Sequence, residues 1–382
     1  MIIIHFCPNN GGPMYEWHWA HYLGELQSVG IKIVDCNPNK ILKREGAPAE
    51  NAEILKDLVN DICNKFNRDD ADIVFFGAQA RDENLDPHVI YWIRKKGIPC
   101  VNICVDGFFE QLHLRNIGKY FDVNWVTHYS ALSIKQYGCN VLYMPMAANP
   151  NFFATINKPK KDLAIAFVGS KYGARPSYIK ALMDAGLKVK VRGNGWYGNY
   201  LSKRKISVKK TFNNVNSILK FFYHKWSYKL IISALMTRFL KFRTVANDYR
   251  TIDVGGEVCL ERMVEFYGSN LMSLGICELR NTYVLKRPLI QYRLRDFECP
   301  MIGCAHLVRR CRELEENFSE DKNIIFYDSI EECVDKARFY LSDKNLRITE
   351  KIGSEARKLS IKEHTWLNRF NKLFNYLGIK GI

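Results

Sequence analysis

Short, almost wholly apolar runs alternate with amphipathic stretches along most of the chain, and that alternation leaves few folds open. The runs Ile2–Cys7, Ile31–Asp35, Ile73–Phe76, Cys100–Val105, Val123–Thr127 and Val141–Met144 read as strands. Between the first two, Met14, Trp17, Ala20, Leu23 and Leu26 recur at near-helical spacing, and Ile54–Phe66 predicts a further helix. Strands separated by helices pair in parallel, because parallel neighbours need a crossover connection. Runs that are apolar throughout, rather than alternating, belong to a sheet covered on both faces. The expectation is a doubly wound parallel sheet over residues 1–150.

Around Asn149–Asp162 the texture turns to Pro, Asn and Lys, as in a linker, and then the alternation restarts. Leu163–Val168 and Leu187–Arg192 read as strands about a helix from Pro176 to Ala185. A long insertion, taken as 199–256, interrupts the pattern. Strand Ile324–Tyr327 follows, then helices over Ile330–Leu341, Arg347–Leu359 and Glu363–Leu377. The reading is a second α/β domain over 163–360, with 361–382 as a C-terminal helix packing back toward the first domain. A chain of 382 residues suits two such domains.

Ligands of open parallel sheets bind beyond the carboxyl ends of the strands. Two glycine-containing turns stand there. Asn10, Gly11 and Gly12 follow the first strand and open a helix through Pro13, as an acceptor-side candidate. Gly169, Ser170, Lys171 and Arg175 follow the strand at 163–168 and bring two cations to a helix N-terminus, a favourable place for a diphosphate. Asp106, at the end of the strand 100–105, is a candidate base or acceptor ligand, or else a turn or N-cap residue. His113 and His128 are acceptor-side candidates by the same position, with a structural role as the alternative. Asp70-Ala71-Asp72 has the form of a metal-binding Asp-x-Asp, but it precedes its strand and reads as a solvated turn, so no metal is expected.

The motif order of the chain resembles that of the spore-maturation-type glycosyltransferases. In the C-terminal half the resemblance rests on Leu294-Arg295-Asp296-Phe297-Glu298 with Gly303, on Asn323–Ser329, and on Glu363-His364-Thr365-Trp366 with Arg369. In the N-terminal half it rests on Asp72-Ile73-Val74, Gly97-Ile98-Pro99 leading to Asp106, and Pro145–Pro150 with Phe153. Phe167-Val168-Gly169-Ser170 and Gly193-Asn194-Gly195-Trp196 resemble the start of the nucleotide domain. The resemblance implies a GT-B fold: two facing Rossmann-like domains with parallel sheets, here with a basic helical insertion in the second. It implies a nucleotide-sugar donor held by Gly193, Asn194 and Glu298, the last on the ribose hydroxyls, with Arg295 on the phosphates or orienting Glu298. A plain surface pair of Arg295 and Glu298 is the alternative. Many retaining relatives carry another Glu eight positions earlier, where this chain has Ile290. Retention and independence of metal are expectations from the family, and no cofactor besides the donor substrate is expected.

The charge balance is 56 Lys and Arg against 40 Asp and Glu, a formal +16, which favours an anionic partner. Much of the excess falls in 203–243 and its flanks, where aromatic residues interleave with Lys and Arg. The reading favoured here is an interfacial segment on a membrane surface, suited to a lipid-linked diphosphate acceptor in bacterial surface-polysaccharide synthesis. Nucleic acid is the rival partner, which would make the chain a DNA-modifying transferase, and a packed helical hairpin is the third reading. A catalytically inactive carbohydrate-binding or scaffolding protein remains a further alternative, because of Ile290. The twelve cysteines form no Cys-x-x-Cys pair and read as free thiols in a reducing compartment. The N-terminus lacks a signal-peptide pattern, so a cytoplasmic protein, peripheral on the inner face of the plasma membrane, is expected.

Overall fold

A computed structural model describes residues 1–8, 13–66, 72–105, 107–155, 161–196, 227–239 and 253–379. It contains two six-stranded sheets, and every pairing within them is parallel. The chain divides into one unit of Met1–Phe152 with His364–Ile382, and a second of Phe153–Glu363.

In the first unit the strands β1 (Ile2–Phe6), β2 (Lys32–Cys36), β3 (Ile73–Ala78), β4 (Cys100–Cys104), β5 (Val123–Val126) and β6 (Val141–Tyr143) lie in the order β2-β1-β3-β4-β5-β6. Every residue of β1, β3, β4 and β5 is buried, which is why these runs lack polar alternation. The helix Pro48–Lys65 covers one face through Ala52, Leu55, Val59 and Ile62, and Glu50 closes its start by accepting from Ala47 N at 2.9 Å. The segment predicted as one helix near Met14–Leu26 is broken: its backbone leaves helical geometry at His21 (φ −93°, ψ −105°). The final helix, Trp366–Leu377, begins later than its sequence pattern suggested, because Glu363 still closes the preceding helix Leu346–Glu363. Thr365 caps it, accepting from Asn368 N at 3.1 Å. Glu25 reaches the same end, accepting from Trp366 N at 3.2 Å and Leu367 N at 3.4 Å.

The second unit orders its strands β12-β11-β10-β7-β8-β9. They are β7 (Asp162–Val168), β8 (Val189–Arg192), β9 (Asp253–Gly255), β10 (Asn270–Gly275), β11 (Ala305–Arg309) and β12 (Ile325–Tyr327). One expectation is corrected here. The insertion taken as 199–256 is too long, because Asp253–Gly255 is the edge strand paired to Lys190–Arg192. The central strand β10 and its neighbour β11 were not predicted either. Each unit has one point where the strand order reverses, between β1 and β3 and between β7 and β10. Those are the positions where an open α/β sheet leaves a crevice for a ligand.

Candidate functional site

At the reversal point of the second unit, β7 runs into Gly169 and β8 into Gly193, and the two turns lean on each other. Gly169 N donates to Arg192 O at 2.8 Å, Lys171 N to Asn194 O at 2.8 Å, and Trp196 Nε1 to Gly169 O at 2.7 Å. Gly193 has φ +139°, and a Cβ there would collide with the Gly169 carbonyl, so only glycine allows the approach. Asn194 Nδ2 donates to Glu257.

Arg175 opens the helix Arg175–Asp184 and folds back over this turn. Its Nη1 donates to Ser170 O at 2.8 Å, and its guanidinium lies 4.0 Å from the Tyr172 ring centre and 5.5 Å from that of Phe167. Burial pushes its pKa down, and the like charges of Arg293 and Arg295 push the same way. Burial also lowers Lys171. A guanidinium held half-desolvated beside two like charges gains by taking up an anion.

The helix Arg295–Ile302 supplies the other side. Arg295 Nη1 donates to Glu298 Oε2 at 2.5 Å; Glu298 is fully buried, and the Arg295 side chain is 31% exposed. Burial alone would lower Arg295, but the neighbouring Glu298 carboxylate outweighs it and raises the guanidinium pKa. A buried relay fixes where this helix starts. Ser273 Oγ meets His306 Nδ1 at 2.9 Å, and His306 Nε2 meets Asp296 Oδ1 at 2.9 Å. Because a carboxylate only accepts, a proton sits on Nε2 and points at Asp296. Asp296 Oδ2 in turn accepts from Arg293 N at 2.6 Å. Gly275 leaves room for this, since a Cβ there would stand 2.7 Å from Asp296 Oδ1 and 2.8 Å from His306 Nε2.

Beyond β10 the chain runs on to Glu278, which is 8% exposed. Tyr178 Oη donates to its Oε1 at 2.5 Å, Arg309 Nε stands 3.9 Å from the same oxygen, and Oε2 has no hydrogen-bond partner. Glu278 bridges antiparallel to Ile290. The carboxylate absent at position 290 thus has a buried carboxylate directly across the backbone from it.

In the first unit a polar cluster lies at the ends of β1 and β2. His5 and Asp35 are register partners joined at 2.8 Å, and His5 Nε2 meets Tyr22 Oη at 3.1 Å. His18, with its ring 5.3 Å from that of His5, is 3% exposed, and burial with the nearby His5 and His21 brings its pKa down to about 3. It is a neutral ring at any ordinary pH.

Residues 225–375 match the family model described as glycosyl transferase-like. No curated protein sequence matches the chain. Among solved structures it is similar to Anabaena HepE in complex with UDP and glucose (TM-score 0.54, 10% identity, 98% of this chain and 99% of that one). It is likewise similar to sucrose-phosphate synthase from Thermosynechococcus elongatus (TM-score 0.54, 10% identity, 98% of each chain). A glycosyltransferase from Rickettsia africae is a third likeness (TM-score 0.54, 12% identity, 98% and 97%). The chain has the GT-B fold.

Within this GT-B chain the structure gathers Gly169, Ser170, Lys171, Arg175, Gly193 and Asn194, with Arg295 within electrostatic reach of Arg175. Glu298 faces Arg295 rather than open solvent, so the two act as one unit. His113 is held by Glu83 (Nδ1 to Oε1, 2.5 Å), and His128 is 1% exposed, closed into the first unit beside β5. Asn10, Gly11, Gly12, Asp106, Asp70 and Ala71 lie outside the described residues, while Asp72 O accepts from Ile2 N at 2.8 Å. Among the described residues no group of three or more His, Cys, Asp or Glu could hold a metal ion. Sequence reasoning missed Arg293, Glu278, His306 and the His5–Asp35 pair, and took Asp296 only as a motif residue without a role. Glu278 was within reach, since it follows the apolar run Leu271–Ile276 as Asp106 follows its own strand.

Proposed function

We propose that this chain is a glycosyltransferase that moves a sugar from a nucleotide-sugar donor to an acceptor hydroxyl, with the donor diphosphate held by Arg175, Arg293 and Arg295. The observation that carries the reading is the pair of interlocked glycine turns after β7 and β8 with Arg175 folded back over them, and with Arg293 and Arg295 within electrostatic reach. In glycosyl transfer, positive character grows on the anomeric carbon and negative charge on the departing diphosphate. Fixed cations at the leaving group offset that charge without a metal. Glu298 holds Arg295 in place and offers the ribose hydroxyls an acceptor beside it. Glu278 supplies the buried carboxylate that position 290 lacks, with Arg309 and Tyr178 fixing its orientation. The acceptor hydroxyl is activated by Asp106 or by the departing phosphate.

The motif order supports placing the chain in the spore-maturation-type branch, with retention of anomeric configuration. The basic stretch 203–243 supports a lipid-linked diphosphate acceptor in bacterial surface-polysaccharide synthesis, on the inner face of the plasma membrane. Release of nucleoside diphosphate from a panel of nucleotide sugars, with a chelator present, tests the reading. At least one donor is expected to turn over, and Arg175→Ala to slow it by about a hundredfold or more. A panel with neither binding nor turnover would sink the proposal and favour an inactive carbohydrate-binding protein.

A further inference from the structure

The helix Ser227–Phe239 leaves part of its apolar surface exposed, beside half-buried Leu230, Ile231 and Met236. At about 100° per residue, Tyr228, Ile232 and Leu235 fall within an arc of roughly 60°. They are 51%, 44% and 50% exposed. Ser227 and Ser233, toward the opposite side, are each 1% exposed. The hydrogen bonds that seat the helix are polar: Asn281 Nδ2 donates to Thr237 Oγ1 at 3.4 Å, and Lys229 Nζ to Arg287 O at 3.0 Å. A helix in water hides its apolar stripe. This one presents part of it.

Exposed cations lie near the helix. Lys229 lies on the helix, and Arg280, Lys286 and Arg287 are exposed on the segment it packs against. The sequence around it, 203–250, holds twelve Lys or Arg and a single acid, Asp248. No described helix is long and apolar enough to cross a membrane. An apolar stripe about two turns long within a strongly basic stretch has the chemistry of a helix lying in the headgroup region of an anionic bilayer. Duplex DNA would engage the cations but would leave Tyr228, Ile232 and Leu235 without an apolar partner.

We propose that the helix Ser227–Phe239 docks this protein on an anionic lipid surface through Tyr228, Ile232 and Leu235. Docking there sets the donor turn behind the helix and the segment Arg280–Val284. The segment Arg280–Val284 touches this helix on one side. On the other, a Cβ at Gly173 would stand 2.5 Å from the Arg280 carbonyl. A lipid-borne acceptor would then arrive beside Ser170, Lys171 and Arg175. The inference deepens the acceptor reading above, yet its test needs no turnover, so either can fail while the other stands.

The test is flotation of the full chain with vesicles of phosphatidylcholine alone, and of phosphatidylcholine mixed with phosphatidylglycerol. The protein is expected to float with the mixed vesicles and not with the neutral ones. Tyr228→Ser/Ile232→Ser/Leu235→Ser is expected to weaken that binding at least about tenfold. Its thermal midpoint and its donor turnover in solution should match the parent, because the replaced side chains are exposed. Lys286→Gln/Arg287→Gln is expected to weaken binding further at low salt. Absence of flotation with anionic vesicles overturns the proposal, as does a triple serine variant that floats like the parent. Binding to duplex DNA that displaces vesicles and ignores the triple substitution would overturn it in favour of nucleic acid.

Discussion

Removing either partner of the Arg295–Glu298 pair should cost the second unit unequal amounts, and the inequality follows from burial. Glu298 is 0% exposed, so Arg295→Met takes the ion pair away from an enclosed carboxylate, a loss of about 3–5 kcal/mol. Glu298→Gln is milder. Arg295 keeps a neutral acceptor, and its side chain, 31% exposed, reaches water, so the cost should be about 1–2 kcal/mol. The double variant removes both charges together and should cost about 2 kcal/mol less than the two single losses added. Urea unfolding of the four proteins gives the cycle, and hydrogen exchange over Arg295–Ile302 localises it. The reasoning fails if Arg295→Met is no more damaging than Glu298→Gln, or if the single effects add to within about 0.5 kcal/mol.

Burial raises Glu25 to about 7 from 4.5, against the pull of the Leu367 and Trp366 amides. The fold therefore favours the protonated carboxyl. Its contribution is full below 4.5 and is lost as pH rises through about 7, by about 3 kcal/mol in all. The parent should lose thermal stability across that window relative to Glu25→Gln, and parallel pH profiles would refute this. Gly193→Ala should destabilise the second unit by about 2–4 kcal/mol, from a backbone at φ +139° and a clash with Gly169, and should abolish donor binding. An unchanged melting point would contradict it. Under native conditions a thiol reagent should label the exposed Cys259 quickly and the half-buried Cys63 slowly, and the ten remaining buried thiols only on unfolding. Mass spectrometry of the labelled peptides checks the order.

The strands legible from sequence were those with nothing polar to interrupt them, such as Ile73–Ala78 and Cys100–Cys104. Two central strands escaped for one physical reason. Ser273 in β10 and His306 in β11 break the apolar runs, but they satisfy each other as register partners and lean on Asp296, which joins them only in the fold. Periodicity cannot see a polar group whose partner lies thirty residues away. Of the cation cluster, Arg175 was visible from its place after a strand and Arg295 from the family motif. Arg293 carries no local signal, because only the turn capped by Asp296 brings it to the site. The start of the last helix was misjudged because Thr365 caps it locally while Glu25, far off in sequence, completes the cap. His5 and Asp35 stand in two strands far apart in sequence, and only the pairing of β1 with β2 makes them one group.

Calorimetric titration of nucleoside diphosphates into the chelator-treated protein reads the arginine cluster most directly. One diphosphate should bind per chain without added metal, and Arg175→Ala should weaken it at least about tenfold, whereas Lys95→Ala, on the helix Pro87–Lys95 of the first unit, should not. Failure to bind any nucleoside diphosphate, binding only when a divalent ion is supplied, or full affinity in Arg175→Ala would contradict the assignment.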